Sequence, residues 1–302
     1  MDFLNEPLFI KWYLSHDCNL NCKSCYISKQ SFDEITQDKI ELVLKVIKNI
    51  APIKVSLLGG EPTIFPHFKY ILLALEKEKI YYNFSTNGQT LYQDTSLLSL
   101  LKNLNYLKEI QVSIDGIEEE NDFIRGKNTF SKAISSAKIL IKNNIPLVLG
   151  ITITKKNITS LQKFIDLATK EKVKIIRFIP FIPIGNGKEI KDLFISPKEL
   201  KNILKSLSIP NNLKISTYNF ENKKNTCGCG AGITTVVINS DLTISACDLY
   251  SDIEKTSDSF DSLNSFYNLW KENSIFNSWR TGKYSEYLYN GQCPILELYK
   301  EK

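Results

Sequence analysis

Three cysteines stand within eight residues of one another, in the run Cys18-Asn-Leu-Asn-Cys22-Lys-Ser-Cys25. Thiolates spaced this closely are soft-metal ligands, and two chemistries compete for them. Three thiolates can hold three irons of a 4Fe–4S cubane and leave the fourth iron open to an outside ligand. A structural zinc would instead want four closed ligands, with His16 as the only nearby candidate for the fourth. The chain has seven cysteines, and about two hundred residues without one separate this trio from Cys227, Cys229, Cys247 and Cys293. Buried thiols serving as small apolar groups would instead scatter along core strands.

A second set of residues could handle a charged small molecule. Gly59-Gly60-Glu61-Pro62 offers a backbone without Cβ atoms beside a carboxylate, so an ammonium group could approach closely and be neutralised. Taken alone, the same four residues read as a turn. Thr86-Asn87-Gly88 is a polar turn. Ser113 and Asp115 precede Gly116, and Arg125 follows ten residues after Asp115. The planar guanidinium of Arg125 suits a carboxylate, because it can donate two parallel hydrogen bonds. The alternative is a surface arginine after the acidic run Glu118–Glu120.

The elements that must position these groups alternate regularly. Strand patterns cover Leu8–Leu14, Ile53–Leu58, Ile80–Ser85, Glu109–Ile114, Pro146–Ile153 and Lys174–Pro180. Helical patterns cover Thr36–Ile50, His67–Lys79, Thr95–Leu104, Thr129–Asn144, Ile158–Glu171 and Pro197–Leu207. Within the first helix, Ile40, Val43, Leu44, Ile47 and Ile50 recur at three- and four-residue steps, which gives one buried face. Successive βα units require parallel strands joined by right-handed crossovers. Such sheets carry their chemistry at the carboxyl ends of the strands. The cysteine run follows strand 1, Gly59–Pro62 follows strand 2, Thr86–Gly88 strand 3, Asp115 strand 4, Lys155–Asn157 strand 5 and Gly185–Gly187 strand 6. After residue 208 the pattern changes to short strands at Leu213–Thr217, Ile233–Asn239 and Leu242–Ala246, with a tight turn at Asn239–Asp241, then a helical aromatic-rich stretch over Phe260–Tyr289. Residues 1–207 therefore read as one domain, and residues 208–302 as a small module holding the four late cysteines.

The Cys-x3-Cys-x2-Cys spacing after a first strand, with Gly-Gly-Glu-Pro after the second, resembles the radical S-adenosylmethionine (radical SAM) enzymes. The resemblance implies an α/β fold, a partial (βα)6 TIM-like barrel with a small C-terminal α+β module of SPASM or twitch type. It implies a 4Fe–4S cluster on Cys18, Cys22 and Cys25 that chelates the methionine end of S-adenosylmethionine. Gly59, Gly60, Glu61 and Pro62 would meet the amine, and Thr86 and Asn87 would line the pocket. Ser113 and Asp115 would face the cofactor, Arg125 would grip the methionine carboxylate, and the backbone near Ile179 would lie close to adenine. The family often places an aromatic just before the third cysteine; here Ser24 stands there and the aromatic, Tyr26, follows Cys25, while Asn121 stands where a His is frequent. Cys229-Gly-Ala-Gly232, leading into a hairpin that ends at Cys247, matches the start of a SPASM or twitch module. One auxiliary 4Fe–4S cluster on Cys227, Cys229, Cys247 and Cys293 would account for all seven thiols, and zinc is the alternative there too. If Cys227 or Cys293 is left out of that cluster, it would be placed to give a hydrogen atom to a substrate radical, as an epimerase requires.

Composition excludes several other classes. The net charge of +5 is scattered as lysines rather than gathered into a basic arm, which argues against nucleic acid. No apolar run is long enough to span a membrane. The start, MDFLNEPLFIKW, lacks a basic segment followed by an apolar stretch, so no secretory signal is expected and the expected place is cytoplasmic. Reducing cytosol in turn disfavours disulfides among the cysteines.

The resemblance therefore implies an enzyme that cleaves S-adenosylmethionine to a 5′-deoxyadenosyl radical and takes hydrogen from a peptide or protein substrate, forming a thioether, a carbon–carbon bond or an epimer. The expected electron donor is a flavodoxin or ferredoxin. Dehydrogenation of a small molecule such as an amino sugar is the second expectation, and a non-catalytic zinc-binding module the third. Because Cys18 comes so early, substrate recognition is expected to use the barrel mouth, the C-terminal module or a separate protein.

Overall fold

The computed structural model describes residues 4–27, 35–217, 229–290 and 292–300. Cys227 lies outside the described residues. In chain order the strands are Phe9–Tyr13 (β1), Lys54–Leu58 (β2), Tyr82–Thr86 (β3), Leu107–Ser113 (β4), Leu147–Ile153 (β5), Ile175–Pro180 (β6), Lys214–Thr217 (β7), Thr235–Ile238 (β8) and Ile244–Ser245 (β9). The helices are Gln37–Ile50 (α1), Phe68–Lys77 (α2), Thr95–Leu101 (α3), Glu118–Arg125 (α4), Thr129–Lys142 (α5), Leu161–Lys170 (α6), Pro197–Ser206 (α7), Leu263–Glu272 (α8), Ser274–Arg280 (α9), Ser285–Tyr289 (α10) and Pro294–Lys300 (α11). Two compact units result. The first comprises Met1–Asp17, Lys29–Asn83 and Glu221–Lys302, and the second Cys18–Ser28 and Phe84–Phe220.

In the first unit β1 is flanked on both sides. It pairs in parallel with β2, from Phe9 opposite Lys54 to Tyr13 opposite Leu58. On its other edge it pairs in parallel with β8, from Phe9 opposite Thr235 to Trp12 opposite Ile238. Parallel strands with both faces covered read as apolar runs, and Ile10, Trp12, Tyr13 and Leu14 are fully buried. The expected hairpin is present as β8 and β9, antiparallel, but β8 also extends the sheet of β1 rather than forming a separate layer. Helix α1 starts where the Thr36 side chain accepts the Lys39 N–H, a standard N-cap. It buries Ile40, Val43, Val46, Ile47 and Ile50, and it ends at Ala51 in the left-handed region. Arg280, at the end of α9, is buried with its guanidinium 4.3 Å from the Trp270 ring, and its Nε donates to the Gly232 carbonyl. That bond anchors the turn just after Cys229 to the C-terminal helices.

The second unit is a parallel run. β4 pairs with β5, β5 with β6, and β6 with β7. β7, expected in the appended module, continues this ladder, with Ile175 opposite Lys214. Helix α4 has no counterpart in the sequence reading. Its segment, Glu-Glu-Glu-Asn-Asp-Phe-Ile-Arg, buries only Asn121 and Ile124, so no apolar stripe advertises it. Asp122, within α4, holds the start of the next helix: its carboxylate accepts the N–H groups of Asn128 and Phe130. Burial works to raise that carboxyl, but the hydrogen bonds prevail and hold it below the ordinary carboxylate range.

Candidate functional site

The cysteine run forms a loop directly after β1, and the second unit secures it at four points. The Cys25 N–H donates to the Cys22 carbonyl, which closes a turn. The Lys23 N–H donates to the Ile124 carbonyl at 2.8 Å, and so attaches the loop to α4. The Asn186 N–H donates to the Cys25 carbonyl at 2.9 Å, and its side-chain amide reaches the Cys22 carbonyl at 3.2 Å. Finally, the Asn87 amide donates to the Cys18 sulfur at 3.7 Å and to the Asn19 side chain at 2.7 Å. Cys18 also accepts the Leu20 N–H. Hydrogen bonds to sulfur stabilise thiolate ligands and tune a cluster's potential.

Gly185 explains how close the loop can come. Its φ is +56°, and a Cβ there would lie 2.5 Å from the Tyr26 carbonyl oxygen and 2.6 Å from that of Cys25. Only glycine fits that place without strain. Gly185 and Asn186 were visible in the sequence as one more loop at a strand end, with nothing to mark them as the clasp on the cysteines.

Arg125 and Asp115 sit beside this loop. Arg125 Nε and Asp115 Oδ2 are 2.8 Å apart, with Asp115 fully buried and the arginine side chain 13% exposed. The N–H is not aimed along that line, so the contact is an ion pair rather than an aligned hydrogen bond. Asp115 is held elsewhere: its Oδ1 accepts the Thr152 N–H, its own N–H donates to Asn121, and its carbonyl accepts the Asn157 amide. Asn121 and Asn157 are both fully buried, so they are structural anchors for Asp115. Burial lowers the Arg125 pKa, yet Asp115 and the Cys22 and Cys25 thiols outweigh it and hold the guanidinium above its usual value. Conversely burial pushes the Cys22 thiol up to about 11, while Arg125 draws it down.

The remaining site residues fall as follows. Thr86 is buried, its hydroxyl accepting the Gly88 N–H. Ser113 ends β4 opposite Gly150, and Ile179 lies one residue before the end of β6, opposite Thr152. Gly59–Pro62 belong to the first unit. There the Gly60 N–H donates to the Ser15 carbonyl and the Glu61 N–H to the Asp17 carbonyl, which prolongs the β1–β2 ladder. A Cβ on Gly60 would lie 2.2 Å from the Asp17 carbonyl oxygen, and one on Gly59 2.8 Å from that of Ser15. These glycines are therefore required by the approach of residues 15–17. The Glu61 carboxylate is buried and caps the turn that Pro62 begins, accepting the Thr63 N–H and hydroxyl.

Also in the first unit, Cys229, Cys247 and Cys293 converge from three distant stretches of sequence. Burial raises all three thiols, with Cys293 pushed to about 11, and each lies within electrostatic reach of at least one of the others. The backbone N–H groups of Leu296 and Ile295, at the start of α11, work against that rise at Cys293. Among the described residues no three His, Cys, Asp or Glu side chains stand close enough to share one metal ion. A cubane makes no such demand, because each thiolate binds a different iron. The donor sets present, three thiols in each unit with N–H···S bonds to Cys18 in the second, thus fit iron–sulfur clusters.

The profile of the Radical SAM superfamily matches residues 12–168, just over half of the chain. The chain belongs to the radical SAM superfamily. Curated radical SAM relatives include mycofactocin maturase MftC of Mycobacterium tuberculosis, 27% identical over 62% of this chain and 48% of that protein. The sporulation killing factor maturation protein SkfB of Bacillus subtilis is 27% identical over 65% of this chain and 48% of that protein. The chain spans about half the length of these curated relatives. Among solved structures, Streptococcus suis SuiB bound to its precursor peptide SuiA aligns over 92% of this chain and 68% of SuiB, with a TM-score of 0.77 at 19% identity. Tagged anSMEcpe with bound AdoMet aligns over 89% of this chain and 82% of that one, with a TM-score of 0.73 at 23% identity. These likenesses show the fold, a mainly parallel α/β sheet of the partial TIM-like barrel kind. No helix among the described residues is long and apolar enough to cross a membrane.

Proposed function

We propose that this chain is a peptide-modifying radical SAM enzyme whose catalytic portion is residues 1–207 and whose residues 208–302 form a SPASM- or twitch-type module with one auxiliary 4Fe–4S cluster. The observation that carries the reading is the cysteine loop, clasped by Asn186, Asn87 and the Ile124 carbonyl, with the Arg125 guanidinium within electrostatic reach of Cys22 and Cys25. When bound there, a reduced cluster and S-adenosylmethionine supply a 5′-deoxyadenosyl radical able to take hydrogen from an unactivated carbon. The chain's own residues would bind and orient. Arg125, kept charged by Asp115, is the cation for the methionine carboxylate. By the family resemblance Gly59, Gly60, Glu61 and Pro62 would meet the amine, and Thr86, Asn87, Ser113, Tyr26 and Ile179 would meet the rest of the cofactor. Cys227, Cys229, Cys247 and Cys293 would ligate the auxiliary cluster, with a flavodoxin or ferredoxin as electron source and the cytoplasm as the place of action.

The substrate we propose is a ribosomally made peptide, because the maturases MftC and SkfB are among the relatives and SuiB shares the fold in a structure with its precursor peptide. The test incubates the reconstituted protein, S-adenosylmethionine and dithionite with a short peptide encoded beside its gene, followed by mass spectrometry. Loss of two hydrogens, or uptake of one deuterium from solvent, is expected. A peptide of unchanged mass in a reaction that does make 5′-deoxyadenosine would reject the peptide substrate and favour a small molecule.

A further inference from the structure

Lys11 lies in the middle of β1, the strand from which the cysteine loop departs, yet its side chain serves the other set of thiols. Lys11 is in register with Val237 of β8, and Val237 with Ser245 of β9. Paired residues present their side chains to the same face of a sheet, and Cys247 comes two residues after Ser245. Lys11 Nζ donates to Asp248 Oδ1 at 2.6 Å, with the two side chains only 29% and 19% exposed. The Tyr13 hydroxyl, on the same face of β1, donates to the Asp248 backbone carbonyl at 3.2 Å. Two side chains of the first strand therefore hold the residue next to Cys247.

The charges reach the thiols as well. Burial raises Cys229 and Cys247; Lys11 works against that rise at both, and Asp248 reinforces it at both. Charges so placed act on whatever the thiolates ligate. A cation nearby favours the more negative, reduced state of a cluster, and an anion disfavours it, more strongly where water is partly excluded.

We infer that Lys11 is a positioning residue of the auxiliary cluster, whose ion pair with Asp248 fixes the orientation of the Cys247 loop and cancels an anion that would otherwise depress the cluster's reduction potential. The inference rests on the proposed auxiliary cluster at Cys229, Cys247 and Cys293. It assigns to a strand of the radical SAM portion a direct part in the redox poise of the second metal centre.

The test is a potentiometric titration followed by electron paramagnetic resonance. It uses the full chain carrying Cys18→Ala, Cys22→Ala and Cys25→Ala, so that only the auxiliary signal remains. In that background Lys11→Met should lower the midpoint potential, and Asp248→Asn should raise it. The double variant and Lys11→Arg should both return near the parent value. Opposite shifts that cancel are the mark of charge, and a merely structural role would not produce them. Equal potentials in all variants, or shifts of the same sign, would overturn the inference while leaving the auxiliary cluster in place. Loss of iron in Asp248→Asn alone would overturn it by making Asp248 a ligand. If the parent triple variant itself holds no iron and sulfide, the auxiliary-cluster reading fails, and the inference with it.

Discussion

The Lys23 N–H donates to the Ile124 carbonyl at 2.8 Å, and this bond joins the loop between Cys22 and Cys25 to the residue just before Arg125. The cysteine loop proposed to bind the cluster and the cation proposed for the cofactor carboxylate are thus registered to each other by backbone. A backbone bond of this kind holds whatever side chains stand around it. From this arrangement several outcomes follow.

Gly185→Ala should empty the loop of iron. The new Cβ would meet the Tyr26 and Cys25 carbonyl oxygens at 2.5 and 2.6 Å, and the left-handed backbone costs a non-glycine residue roughly 1–2 kcal/mol. Iron and sulfide analysis after anaerobic reconstitution should find the N-terminal cluster largely lost, with the auxiliary iron retained. Asn186→Ala, which removes only the side-chain hydrogen bonds to the loop, should give a partial loss.

Arg125→Ala should destabilise the chain as well as inactivate it. Removing the arginine leaves the Asp115 carboxylate charged, fully buried and without its cation, and stranding one partner of a buried pair costs about 3–5 kcal/mol. Chemical denaturation should show that loss. Adding Asp115→Asn should recover much of it, since an amide oxygen can still accept the Thr152 N–H, while binding of S-adenosylmethionine stays weak.

The metal-free protein should lose stability as pH rises through the alkaline range. Burial raises the thiols of Cys22 and Cys293 from 9.0 to about 11. Below pH 9 both folded and unfolded chains hold these protons. Between 9 and about 11 the unfolded chain releases them first, so stability falls by about 1.4 kcal/mol per pH unit for each thiol. Unfolding midpoints of the metal-free chain across that window check the sign, and a cluster-loaded sample should lack the same dependence because its thiolates carry no proton to lose.

Much of this was legible beforehand, and the reason is periodicity. The six βα units alternate strands and amphipathic helices such as α1, whose Ile40, Val43, Ile47 and Ile50 mark one face. Cysteine spacing is equally local, so the loop at residues 18–25 needs no structure to be noticed. What the sequence hides is polar and long-range. Helix α4 buries an asparagine and one isoleucine, which no hydrophobic count detects. Asn157 was legible only as part of a loop at a strand end, yet it is fully buried and bonds to the Asp115 and Thr152 carbonyls. The pairing of β8 with β1 joins segments more than two hundred residues apart, and nothing in either segment names its partner. Gly59 and Gly60 stand out in the sequence as backbone open to an ammonium group, but the contact seen to demand them is the Ser15–Asp17 backbone.

The cluster proposed on Cys18, Cys22 and Cys25 is the one that would cleave S-adenosylmethionine. Anaerobically reconstituted protein, given S-adenosylmethionine and dithionite, should release 5′-deoxyadenosine, detected by liquid chromatography. Cys22→Ala should release none while keeping its auxiliary iron. Equal release from Cys22→Ala and the parent, or none from a parent with full iron and sulfide content, would contradict the account.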